Sequence, residues 1–107
     1  MFTKIVVGLA LMVAVSQTAL AADWQYCLAP SYKEHTIYFS AVFTTSAGFG
    51  SADSSFEQKL NRAGLPYNSV QCPRADDEKS IMEMFQYAIS YNQKLGNKIV
   101  YVSTAVE

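Results

Sequence analysis

The chain has little of what most enzyme chemistry requires. Its 107 residues hold one histidine, His35, two cysteines, Cys27 and Cys72, and one tryptophan. No Cys-x-x-Cys spacing exists, which excludes a thioredoxin-like redox motif in its usual form. No G-x-S-x-G, P-loop or G-x-G-x-x-G occurs, and Gly48-Phe49-Gly50 is too short to cradle a phosphate. One histidine and two cysteines are a poor set of zinc ligands. Charge is scarce too: eight basic residues against nine acidic leave a net charge of −1. Without a basic excess, nothing in the charge balance points to nucleic acid or anionic lipid. No cofactor is implied.

Long apolar runs are also missing. The longest, Ile5–Val15, has 11 residues, whereas a transmembrane helix needs about 20. It follows Lys4 and precedes polar Ser16-Gln-Thr18 and the small-residue pattern Ala19-Leu-Ala21. That is the layout of a secretory signal peptide over residues 1–21, cleaved after Ala21 or Ala22, with an uncleaved anchor as the alternative. The expected mature part, residues 22–107, is a single small domain with no membrane span, working in the periplasm or outside the cell. In an oxidising compartment an even pair of cysteines reads first as a structural disulfide. A Cys27–Cys72 bridge closes a loop of 45 residues, for which chain entropy predicts about 4 kcal/mol. That rivals the whole margin of so small a core.

The patterning predicts an α+β domain in the order β-β-α-β-α-β. Trp24, Tyr26 and Leu28 alternate with Gln25 and Cys27 as a first strand, which Pro30 and Ser31 are expected to break. Thr36–Phe43 is the strongest strand, with Ile37, Phe39, Ala41 and Phe43 on one face and Tyr38, Ser40 and Val42 on the other. A loop, Thr44–Ser51, leads to a helix from about Ala52 to Ala63. Ser51 or Ser54 can cap it, Ser54-Ser-Phe-Glu57 fits a capping box, and Gly64 and Pro66 stop it. Asn68–Cys72 reads as a short strand. A second helix, about Asp76 to Leu95, carries Ile81, Met84, Phe85, Ala88, Tyr91 and Leu95 at helical spacing and ends at Gly96. Ile99–Ser103, apolar on both faces, is expected at the centre of the sheet. The expected architecture is two helices packed on one face of a four-stranded sheet.

Aromatic strand Ile37–Phe43, the helix around Phe56-Glu-Gln-Lys-Leu60 and the late helix ending in Leu95-Gly96 before a strand give an element order that resembles the SPOR-type peptidoglycan-binding domain. The resemblance implies an exported domain that holds glycan on an open sheet face. It extends to element order alone, since an extra strand precedes the first helix and the strand pair expected between the helices is reduced to one. No residue role is carried over.

His35 with Ser31, Ser40 or Glu34 is a catalytic grouping that no spacing signature links, so an exposed loop histidine is the simpler reading. A carboxylate pair for glycoside hydrolysis depends on separation in space, and no acidic residue sits in an apolar strand. Asp76-Asp77-Glu78 lacks the alternation of a calcium loop and reads as a complement to a helix dipole. The aromatics are the residual signal: seven Tyr, one Trp and five of the six Phe lie after the leader. Phe39, Phe43, Phe56 and Phe85 are core by spacing. Tyr32 and Phe49 in loops, and Tyr38 and Tyr101 on an open sheet face, are the candidate binding residues, because rigid rings give contact area at low entropic cost.

The favoured expectation is an exported, disulfide-stapled domain that binds a protein or cell-envelope partner without catalysis. The alternatives are a small hydrolase using His35, or a self-associating structural component. Intact mass spectrometry of exported protein should find a chain beginning at Ala22 and two hydrogens lighter than the dithiol; free thiols would remove the staple.

Overall fold

Alternating side chains between Trp24 and Phe43 build a two-armed hairpin that organises everything else. The computed structural model describes residues 23–45 and 50–102; the expected leader and Phe49 lie outside them. In chain order the elements are β1 Asp23–Gln25, β2 Leu28–Ser31, β3 Thr36–Phe39, β4 Phe43–Thr45, α1 Ser51–Arg62, β5 Arg74–Ala75, α2 Glu78–Lys94 and β6 Lys98–Tyr101. The domain is α+β as expected. Its strands, however, form two three-stranded sheets, β4-β1-β5 and β2-β3-β6, instead of one sheet of four.

The split has a local cause. Both arms of the hairpin are antiparallel, but Leu28 pairs with Phe39 in one sheet and Gln25 with Phe43 in the other. Two residues, Tyr26 and Cys27, therefore face three, Ser40 to Val42, and the extra residue bends the ladder as a bulge does. Ser40 repairs the gap. Its N–H donates to the Cys27 carbonyl at 2.9 Å, and its Oγ accepts from the Cys27 N–H at 2.8 Å while donating to the Ala41 carbonyl. Ser40 and Cys27 are fully buried, so no water can replace these bonds. The slip also turns Phe43 over. It joins Tyr38 instead of sharing the face of Ile37 and Phe39.

Pro30 does not end the first strand. β2 runs through it because Pro30 sits on an edge, where its missing N–H breaks no bond to β3. That edge is laced by the chain after α1. Leu28 and Gln71 exchange backbone hydrogen bonds, Asn68 N–H donates to the Pro30 carbonyl, and Asn68 Oδ1 accepts from the Tyr32 N–H. Only Gln71 forms a bridge, so Asn68–Cys72 is a lacing segment, and the strand between the helices is β5. The Cys27–Cys72 disulfide joins this segment to the hairpin where the hairpin bends, with Cα atoms 4.0 Å apart. β6 pairs with β3 in parallel and with no other described strand, so it lies at an edge, not at the centre.

The helices pack on opposite faces. Ala52, Phe56 and Leu60 of α1 cover Cys27, Ala29, Tyr38 and Phe43. Ile81 of α2, with Phe85, Ala88 and Ile89 beside it, covers Tyr26, Ile37 and Phe39. The two faces follow directly from strand alternation, because residues 37 and 39 point away from residue 38. Gly50, with φ 85°, is the N-cap of α1, and neither Ser51 nor a Ser54 box makes a capping side-chain bond. Gly64 and Gly96 adopt positive φ at the helix ends, which glycine does without a Cβ clash. No helix among the described residues is long and apolar enough to cross a membrane.

Two outcomes follow. Ser40→Ala leaves the buried Cys27 N–H without its acceptor and should cost about 1–3 kcal/mol, read from urea unfolding; a loss below about 0.5 kcal/mol would show that the bend does not need the hydroxyl. Tyr26 packs against Phe39 and Phe85, and burial raises its phenol above the ordinary 10.0. Its contribution is whole below that value and is lost as pH rises through the raised one, because the unfolded phenol ionises first. Urea midpoints measured from neutral pH to about 11 should fall less steeply for Tyr26→Phe than for the parent.

Candidate binding surface

Of the six large hydrophobic residues exposed among the described residues, four, Met84, Tyr87, Tyr91 and Leu95, stand on α2 and its C-cap. Asp77 starts this helix, its Oδ1 accepting from the Ser80 N–H at 2.8 Å. That backbone bond, with the serine side chain and Lys79 adding to it, holds the Asp77 carboxyl below its usual range. The acidic run is thus occupied at the helix start, and no group of three His, Cys, Asp or Glu able to hold a metal is found among the described residues. At the other end, Gly96 and Asn97 donate to the Gln93 and Asn92 carbonyls and close the helix into β6.

The sequence makes α2 apolar around more of its circumference than one sheet face can cover. Ile81, Phe85, Ala88 and Ile89 point inward. Met84, Tyr87, Tyr91 and Leu95 form a second stripe that remains in solvent; Tyr87 is 70% exposed, Leu95 59% and Tyr91 50%. Met84, Tyr91 and Leu95, expected on the packed face, therefore stand outside it. Residues at i, i+3 and i+4 share a side of a helix, and these four fall on one line. The Tyr87 and Tyr91 rings stack at 6.0 Å with 13° between their planes, so each limits the other's rotamers before any partner arrives. Charged Glu83 and Lys94 flank the stripe, and Glu83 also pairs with Lys79 at 3.5 Å. Beyond the same flank lies a depression of ≈ 380 Å³ whose described lining, Lys79, Met82, Glu83 and Gln86, comes from this one helix. No second described element lines it.

The residues singled out from the sequence are scattered. Tyr38 is 5% exposed beneath α1; the open face expected for it does not exist, because a helix lies on each side of the sheet. Tyr32 is exposed in the β2–β3 turn, and Tyr101 is exposed on the edge strand β6. The β3–β6 register places Lys98 beside Thr36 and Tyr101 beside Phe39, so the two rings lie toward different ends of the sheet. His35 is exposed and holds the left-handed position of the turn, φ 51°. Its carbonyl accepts from the Lys98 N–H, and its ring makes no hydrogen bond to Ser31, Ser40 or Glu34. Ser40 is committed to the bend and sits apart from it. The sequence does not single out the α2 stripe, because helical spacing alone puts Met84, Tyr91 and Leu95 on the same side as Ile81 and Phe85. The available signal was a surplus: six apolar positions for one face, plus Tyr87 off that face.

No family model, curated protein or solved structure matches this chain. The element order that resembles SPOR-type domains leads here to a different arrangement, with a helix on each face of the β2-β3-β6 sheet.

Proposed function

We propose that this protein is an exported, disulfide-stapled domain that binds a protein partner through the α2 stripe and performs no catalysis. The observation that carries the reading is four large apolar side chains, Met84, Tyr87, Tyr91 and Leu95, standing in solvent on a helix whose other side is packed. Tyrosine and methionine are the residue types that interfaces concentrate, and stacked rings lose little entropy on docking. A rigid helix on a stapled scaffold presents them in one geometry. Export is supported by the leader-like residues 1–21 and by the Cys27–Cys72 bond, which suits an oxidising compartment. Tyr32 and Tyr101 remain secondary contact candidates at the turn and the edge.

The test is a photo-crosslinking amino acid placed singly at Tyr87, Tyr91 or Leu95 in the full chain, and at Glu57 on the exposed side of α1 as control. Irradiation in the producing cells should give discrete protein adducts from the α2 positions and none from Glu57. Absence of adducts at all three α2 positions would overturn the reading.

A further inference from the structure

We propose that the partner of the α2 stripe is a second copy of this chain, docked antiparallel, helix against helix, about a twofold axis level with Ile89. The inference rests on the binding reading above and names its partner.

The stripe is close to a palindrome. A twofold axis level with residue 89 sets Tyr87 against Tyr91 of the other copy, and Met84 against Leu95, twice each. An isologous interface requires such self-complementarity, since every contact must occur in both directions. Charge then chooses the direction. Glu83 and Lys94 lie on the same flank of the stripe, one near each end, and both are exposed. In an antiparallel pair equal flanks meet with ends reversed, so Glu83 faces Lys94 of the second copy, again twice. In a parallel pair about a twofold axis along the helices each flank meets the opposite flank of the other copy, so neither Glu83 nor Lys94 faces its counterpart. The existing Lys79–Glu83 contact leaves Glu83 between two ammonium groups, a favourable position for a carboxylate. No other described charge stands on the stripe itself.

The exposed surface fits a modest, reversible dimer. A helix of 17 residues is about 25 Å long, and four anchors per copy bury less than the standard interface. A glycan or a lipid surface fits less well. A glycan would need polar groups beside the rings, and the stripe is flanked by one charge of each sign and no convergent amides. A membrane would favour a basic flank.

Sedimentation velocity on the oxidised protein recovered from cells, over a concentration series from about 5 to 500 µM, should show monomer passing to dimer. Glu83→Lys and Lys94→Glu alone should each weaken the dimer about tenfold, because each replaces two attractive pairs by two repulsive ones. An equimolar mixture of the two variants should associate more tightly than either alone, since every facing pair is then opposite in sign. Both positions are exposed, so far-UV spectra should match the parent. A chain that stays monomeric throughout overturns the proposal, as does a dimer indifferent to both charge reversals. If crosslinks at Tyr87 instead join a different protein while the chain sediments as monomer, the second-copy proposal falls and the binding reading stands. Adducts of twice the chain mass support both.

Discussion

Everything in this fold depends on how the hairpin from Asp23 to Thr45 changes register while the buried backbone groups of Cys27 stay bonded. An extra residue between Ser40 and Val42 would leave buried donors without partners, and a small domain has few kcal/mol to spare for that. The Ser40 hydroxyl takes the place of the absent ladder partner. Because Ser40 bonds both backbone groups of Cys27 at the bend, one continuous hairpin can serve two sheets, and its side chains can feed two separate cores. The disulfide is set at the same bend, at Cys27, so that the one covalent crosslink fixes the point where the two sheets diverge.

The placement of the helices follows from this. α1 enters over Ala29, Tyr38 and Phe43, with the Ala52 carbonyl 3.9 Å from Cys27 Sγ. α2 enters over Tyr26, Ile37 and Phe39, where Phe85 meets both Tyr26 and Phe39 edge-on. Two thin cores back to back cover both faces of the β2-β3-β6 sheet. The outer side of α2 is the surface where surplus apolar side chains remain, and so the candidate interface lies on a helix.

The sequence carried the local structure well. Strand alternation at Trp24–Leu28 and Ile37–Phe39 and the stops at Gly64 and Gly96 follow from period and turn chemistry. Cys27 with Cys72 was readable from number and compartment. What was not readable depends on contacts distant in sequence. Period-two alternation continues unbroken through Ser40 to Phe43, so nothing local marks the inserted residue that reverses Phe43. Pro30 looks like a strand breaker until it is known to lie on an edge. A helix apolar over half its circumference does not say which half a sheet will cover, and so Tyr91 and Leu95 were assigned inward. Tyr38 and Tyr101 were assigned outward on the premise of a one-sided sheet, and α1 occupies the side where Tyr38 lies.

The lacing of β2 gives the disulfide a second role. Leu28, Pro30 and Tyr32 present their outward backbone groups to Gln71 and Asn68, and the bond at Cys72 tethers that segment one residue away. Opening the bond loosens the chain and also unties the cover from a strand margin, leaving amides and carbonyls that another strand can match. In a reducing milieu the hazard for this protein is therefore templated strand addition as much as unfolding. The redox state of one cystine guards the protein's solubility through a margin that the sulfur atoms do not touch.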